Sequence, residues 1–145
     1  MPTTMEAPIT EEIIISDTRE ITLEDILPLY EANEWSAAKK PTQLINGLRN
    51  SHTLITAWEG DKLVGLGNAI SDGHLVVYYP HFLVHPEYQG QGIGIRLLEK
   101  MQEKYADFHM QVLTADGDTV EFYKKIGFKR AGETKSMWIY EGDEH

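Results

Sequence analysis

The chain has 145 residues, 41% of them hydrophobic, no cysteine and a formal charge of −10, which suits one globular domain burying roughly two-thirds of its unfolded surface. The missing cysteines exclude disulfides, thiol nucleophiles and cysteine zinc sites, and the acidic balance argues against nucleic-acid binding, which needs basic side chains to neutralise phosphates. Apolar runs are short and the N-terminus lacks a basic region followed by an apolar one, so a cytoplasmic protein without a membrane span is expected.

Residues 1–10, with two prolines and three threonines, read as a flexible leader to a single domain over residues 11–145. The Ile13-Ile14-Ile15 run marks a first strand within residues 11–19. Thr22 and Asp25 have the spacing of a capping box, and Ile26, Leu29 and Tyr30 share one face of the helix that follows; Pro28 is expected to delay or kink it. A second helix begins near Pro41-Thr42, turns Leu44, Ile45 and Leu48 inward, and stops at Asn50-Ser51. Residues 53–58 and 62–70 flank Glu59-Gly60-Asp61 as a hairpin. Ser71-Asp72-Gly73 is a turn into a strand over residues 75–84, inside which Pro80 predicts an irregularity because it cannot donate a ladder hydrogen bond.

After that strand, Gln89-Gly90-Gln91-Gly92-Ile93-Gly94 opens a third helix with Ile93, Leu97, Leu98, Met101 and Tyr105 on one face. A strand that turns through glycines into a helix start gathers free N–H groups and the positive end of the helix dipole at one point, a place for phosphate. Neither nucleotide fold fits: no βαβ repeat precedes the turn, and Gly94 is followed by Ile95 and Arg96 rather than by Lys-Ser/Thr. Residues 108–113 then read as a buried-type strand, residues 119–125 as a short helix ended by Gly127, and residues 129–140 as one or two closing strands.

The segment HFLVHPEYQGQGIGIRLLEKM (residues 81–101) resembles the acyl-CoA signature of the GNAT superfamily of N-acetyltransferases, with Gln89, Gly92 and Gly94 on its Gln/Arg-x-x-Gly-x-Gly/Ala core. VEFYKKIGF (residues 120–128) resembles the second family signature, and the two stand in family order. The pattern LYEANEW and the SDG turn are also similar to the plant- and cyanobacterial-type serotonin N-acetyltransferase branch. The resemblance implies a mixed α/β fold: a mostly antiparallel central sheet with helices on both faces, whose parallel fourth and fifth strands splay into a V-shaped cleft.

It further implies an acetyl-CoA-dependent transfer to a primary amine, with no metal. A small-molecule amine is the first expectation, and a protein lysine or N-terminus, or a non-catalytic acyl-CoA-binding module, the alternatives. The −10 charge is compatible with attraction of a cationic amine, although solubility alone accounts for it. A homodimer is left open.

Carried over residue by residue, Phe82, Leu83 and Val84 would pair with the pantetheine arm like an added strand. Gln89, Gly90, Gln91, Gly92, Ile93 and Gly94 would hold the diphosphate, helped by Arg96 or Lys100 because Gln89 replaces the frequent Arg. Asp116 stands where an Asn often contacts the arm. Tyr123 would donate to the departing thiolate. At the amine end a proton must be lost at a cost of about 4 kcal/mol at neutral pH. His81 is a candidate base if a bulge turns it toward the cleft, Glu34 a second, and a water relay a third. Trp35, Tyr78 and Tyr79 are either acceptor-pocket or core aromatics, and His85 reads as a turn residue.

Overall fold

A computed structural model describes residues 12–142; the expected leader lies outside them. The elements are β1 (Ile13–Ser16), α1 (Leu23–Ala32), a 3-10 turn (Ser36–Lys39), α2 (Pro41–Arg49), β2 (Thr53–Glu59), β3 (Lys62–Ser71), β4 (Val76–Tyr78) and β5 (Phe82–Val84). A 3-10 turn (Pro86–Tyr88), α3 (Ile93–Lys104), β6 (Met110–Val112), a further 3-10 turn (Gly117–Thr119) and α4 (Val120–Lys124) complete the order. No helix among the described residues is long and apolar enough to cross a bilayer.

One sheet of six strands runs β1-β2-β3-β4-β6, with β5 also on β3. All its pairs are antiparallel except β4 with β6. Period-two alternation divides the core in two. On one face Leu54, Leu66 and Leu83 meet Ile26, Leu29 and Tyr30 of α1 and Leu44, Ile45 and Leu48 of α2. On the other, Ile55, Ala57, Val64 and Val77 meet Ile93, Leu97, Met101 and Tyr105, the stripe expected for α3. The sheet is thus covered on both sides, as the mixed α/β class requires.

The local signals at the start of α1 form as their spacing predicts. Thr22 accepts from the Asp25 amide while Asp25 accepts from the Thr22 amide, so the capping box forms and α1 starts at Leu23. Pro28 sits inside the helix and is exposed; the carbonyl that loses its donor is that of Glu24, also exposed, so water can serve it and the helix does not start late.

Three expectations are corrected. The strand over residues 75–84 is two strands, because the chain bulges at Pro80: Tyr78 pairs with Ile70 but Phe82 with Gly67, one residue out of step. The buried-type strand is shorter and lies at the end of the sheet order, with Met110 46% exposed. No strand forms over residues 129–142: a turn with Thr134 N–H on the Ala131 carbonyl at 3.2 Å redirects the chain. Tyr140 then hydrogen-bonds Ser36 Oγ at 2.7 Å and Glu141 pairs with Lys40, so the segment crosses toward α2 instead of joining a sheet edge.

Candidate active site

The parallel pair sets up the site. β4 and β6 stay in register from Val76–Met110 to Tyr78–Val112, and one more bond follows, from the Tyr79 amide to the Val112 carbonyl at 3.0 Å. Beyond it the chains part: β5 continues along β3 alone. The splay expected between fourth and fifth strands is therefore present, with β4 and β5 together forming the fourth strand and β6 the fifth.

The gap leaves one edge of β5 open. Asn68 N–H donates to the His81 carbonyl at 3.0 Å and His85 N–H to the Val64 carbonyl at 2.8 Å, so by ladder alternation His81, Leu83 and His85 serve β3 while Phe82 and Val84 point their peptide groups outward. Gln89 Nε2 donating to the Val84 carbonyl at 3.1 Å agrees with that direction. Leu83 differs from the expectation: its peptide faces β3 and its side chain is in the core. The Phe82 ring lies over Gly67, where an added Cβ would stand 2.4 Å from it; only glycine lets the ring take that place.

Past β5, His85 caps the 3-10 turn by accepting from the Glu87 amide at 3.2 Å, as a turn residue. Tyr88, 3% exposed, anchors the start of the glycine turn by donating to Glu59 at 2.6 Å. Gly90 and Gly92 both have φ of 81°, left-handed backbone that other residues enter at a cost. Gly92 is the N-cap of α3 and supplies no side chain, and a Cβ there would meet nothing within 4 Å. The first-turn amides of α3 thus carry no side-chain cap and have the helix dipole behind them, a fit for an anionic group. Arg96 is not part of it: its guanidinium reaches the Ile13 carbonyl at 3.1 Å. Lys100 lies on the same outer surface, 3.9 Å from Glu103. The positive charge at the turn comes from backbone.

α4 closes on this turn. A Cβ on Gly94 would stand 3.4 Å from Phe122 Cζ and 3.7 Å from Val84 Cγ2, so the turn, β5 and α4 converge. Tyr123 is set between Phe122 and Phe128, edge to face at centroid distances of 5.2 and 5.9 Å. Burial, and then the Asp116 carboxylate, push its phenol up to about 12. It stays protonated near neutrality, with its hydroxyl hydrogen available to donate. Asp116 is the N-cap of the 3-10 turn that leads into α4, its carbonyl accepting from Thr119, and its charge acts on Tyr123.

On the other side of β5 a cavity of ≈600 Å³ is walled by the Ser36–Lys39 turn, α2, Asn68, Pro80, His81 and the crossing segment at Tyr140 and Glu141. His81 is there because the bulge expected at Pro80 exists. Asn68 Oδ1 accepts from the His81 amide at 3.0 Å, a side chain doing what a ladder carbonyl would do, and Asn68 Nδ2 donates to Ser51 at 3.0 Å. Asn68 and Ser51 are buried. Replacing Asn68 with Ala takes the acceptor from the His81 amide, while Ser51 keeps its bond to the Gly47 carbonyl, and is expected to cost about 2 kcal/mol; a fall in the urea midpoint together with a raised KM for the acceptor would show both effects.

Of the other candidates, Glu34 is exposed, adopts φ of 59° and does not line the cavity. Trp35 packs on Tyr30 and His81, Tyr79 is 3% exposed in the core with its hydroxyl on Gln111, and Tyr78 is exposed; none of the three lines the cavity. Two residues escaped the sequence: Asn68, a lone polar residue in an apolar strand, gave a weak signal, and Tyr30, on a core-facing helical stripe, gave none.

A glycine turn at a helix start, beside a strand edge opened by a splayed parallel pair, defines an acyl-CoA-dependent acyltransferase. The chain belongs to the GNAT family of acetyltransferases: the family described as acetyltransferase (GNAT) domain matches residues 18–138. It is 30% identical over 138 residues to the uncharacterised N-acetyltransferase ycf52 of Pyropia yezoensis, covering 90% of this chain and 78% of that protein. It is 32% identical over 160 residues to the chloroplastic GCN5-related N-acetyltransferase 2 of Arabidopsis thaliana, covering 94% and 61%. Glycine max histone acetyltransferase TAP1 is 30% identical over 145 residues, covering 90% and 62%. A solved GNAT-family acetyltransferase from Streptococcus pneumoniae superposes with a TM-score of 0.77 at 30% identity, covering 90% of this chain and 100% of that one.

Proposed function

We propose that this enzyme acetylates a small primary amine, which sits in the cavity beside His81 and attacks the thioester directly. The observation that supports this is the position of His81: it lines the ≈600 Å³ cavity and immediately precedes the open edge at Phe82. Acceptor and acyl donor thus approach β5 from its two ends, and the volume suits a small ligand.

Acetyl-CoA, when bound, supplies the activated acyl group. The amides that open α3 at Gly92, Ile93 and Gly94, approached closely across Gly90 and Gly92, hold its diphosphate. The outward peptide groups of Phe82 and Val84 pair with its pantetheine arm, Gln89 yielding the Val84 carbonyl. Tyr123 donates a hydrogen bond to the sulfur as negative charge grows there. With the phenol at about 12 and a thiol near 8.5, full proton transfer would be uphill by roughly 5 kcal/mol, so Tyr123 acts by hydrogen bonding.

A panel of arylalkylamines, polyamines and amino alcohols, assayed for free CoA release, tests this. Turnover with at least one amine is expected; tight acetyl-CoA binding without turnover of any amine would overturn it. A second acceptor class is favoured by the soybean relative, which is named a histone acetyltransferase: a lysine and N-terminal peptide array in the same assay would put protein acetylation first if peptides turn over faster than every free amine.

A further inference from the structure

Among the described residues, the two halves of the core end in sequence at Phe128. Beyond it Met137 is 93% exposed, Trp138 68% and Ile139 fully, so apolar burial does not hold the crossing segment in place. Its fastenings among the described residues are polar: the Tyr140 and Ser36 hydroxyls are 2.7 Å apart, and the Lys40 ammonium sits on the Glu141 carboxylate. One close approach accompanies them, since an added Cβ on Gly142 would stand 2.5 Å from Ser36 Oγ. All five residues line the ≈600 Å³ cavity. Ser36 opens the 3-10 turn and Lys40 is the N-cap of α2, so these contacts join two walls of that cavity to each other.

We infer that residues 138–142 are a strap across the acceptor cavity, which forms its outer wall when clasped at Ser36 and Lys40 and unfastens to admit the acceptor. That the acceptor is what enters rests on the proposed amine transfer; the opening does not. An ion pair between exposed side chains holds weakly, and less so in salt, while a surface hydroxyl pair exchanges for water at little cost. Unfastening exposes little new apolar surface on the strap, because its apolar side chains are in water already. The walls that remain, from the 3-10 turn, α2 and the stretch of sheet at Asn68, Ile70, Pro80 and His81, then form a groove. The glycine turn and the outward edge of β5 share no residue with the clasp, so the cofactor half is left as it was.

The chain has no cysteine, so Ser36→Cys with Gly142→Cys introduces a single thiol pair. The 2.5 Å approach puts the two Cβ atoms at most about 4 Å apart, within disulfide range, and the Tyr140 hydroxyl that also stands 2.5 Å from the new Cβ can yield at the end of its side chain. Mass spectrometry is expected to show the intramolecular disulfide after mild oxidation; its failure to form would overturn the closed placement. Leu44 and Leu48 are buried and line the cavity, so a soluble paramagnetic probe should broaden their methyl signals more in the reduced than in the oxidised protein. Equal broadening would overturn the opening, and this reading needs no turnover, which keeps it separate from the amine-transfer proposal. With the best acceptor from the amine panel or the peptide array, oxidation is expected to lower kcat/KM by about tenfold or more, reduction to restore it, and acetyl-CoA affinity by calorimetry to be the same in both states. Equal turnover by the oxidised enzyme would mean that the acceptor does not pass the strap. Glu141→Gln, which adds no covalent bond, is expected to lower the acceptor KM about threefold and to abolish the fall in KM that added salt produces in the wild type; a raised KM would make Glu141 a ligand of the acceptor and overturn its role in the clasp.

Discussion

Tyr123→Phe is expected to lower kcat by about a hundredfold or more, the usual contribution of a positioned acid group, with the dissociation constant for acetyl-CoA changed less than about threefold. The phenyl ring keeps the edge contacts to Phe122 and Phe128, so the variant loses the hydroxyl and little else. Because burial and the Asp116 charge hold the phenol at about 12, the wild-type donor is intact throughout the range in which an amine becomes neutral. The kcat profile should accordingly show no loss from Tyr123 ionisation below about pH 11. Asp116→Asn removes the second cause of the shift and should lower the phenol's pKa, which ultraviolet titration of the tyrosinate reads. Stopped-assay kinetics with calorimetry decide the main point: a Tyr123→Phe enzyme with wild-type kcat would take the hydroxyl out of the proposed chemistry.

Gly92→Asp is expected to separate stability from cofactor binding. At this N-cap an added side chain meets open space, and a carboxylate can accept from the first-turn amides of α3, a cap worth about 1 kcal/mol. The left-handed φ of 81° costs about as much, so the unfolding midpoint should hardly move. The same carboxylate occupies the anion's place and repels it: two like charges about 4 Å apart near a protein surface interact by about 4 kcal/mol. Acetyl-CoA affinity should fall by at least about a hundredfold. Undiminished affinity would mean that the diphosphate is held elsewhere.

The sequence carried the glycine turn because its chemistry is local: amides, dipole and missing Cβ atoms all belong to consecutive residues. The capping box of α1, the stripe of α3 and the hairpin were legible for the same reason, each being written within a few positions. Pro80 announced the bulge, since one missing donor is visible in one letter. Residues 129–140 misled because apolar residues there have strand propensity, while pairing depends on a partner edge that propensity does not encode.

The site's second half was written between distant positions. Arg96 looked like a phosphate ligand by proximity, yet the packing of α3 on β1 turns it to Ile13. Asn68 clamps His81 from an adjacent strand, and Tyr30 reaches it from a helix 51 positions away in sequence.

Sequence alone therefore determined the acyl-CoA half of this protein, because a helix start that binds anions needs only neighbouring residues. Tertiary structure alone decided the acceptor half, because the partners of His81, Asn68 at 3.0 Å and Tyr30 at 2.7 Å, are brought to it by packing rather than by chain order.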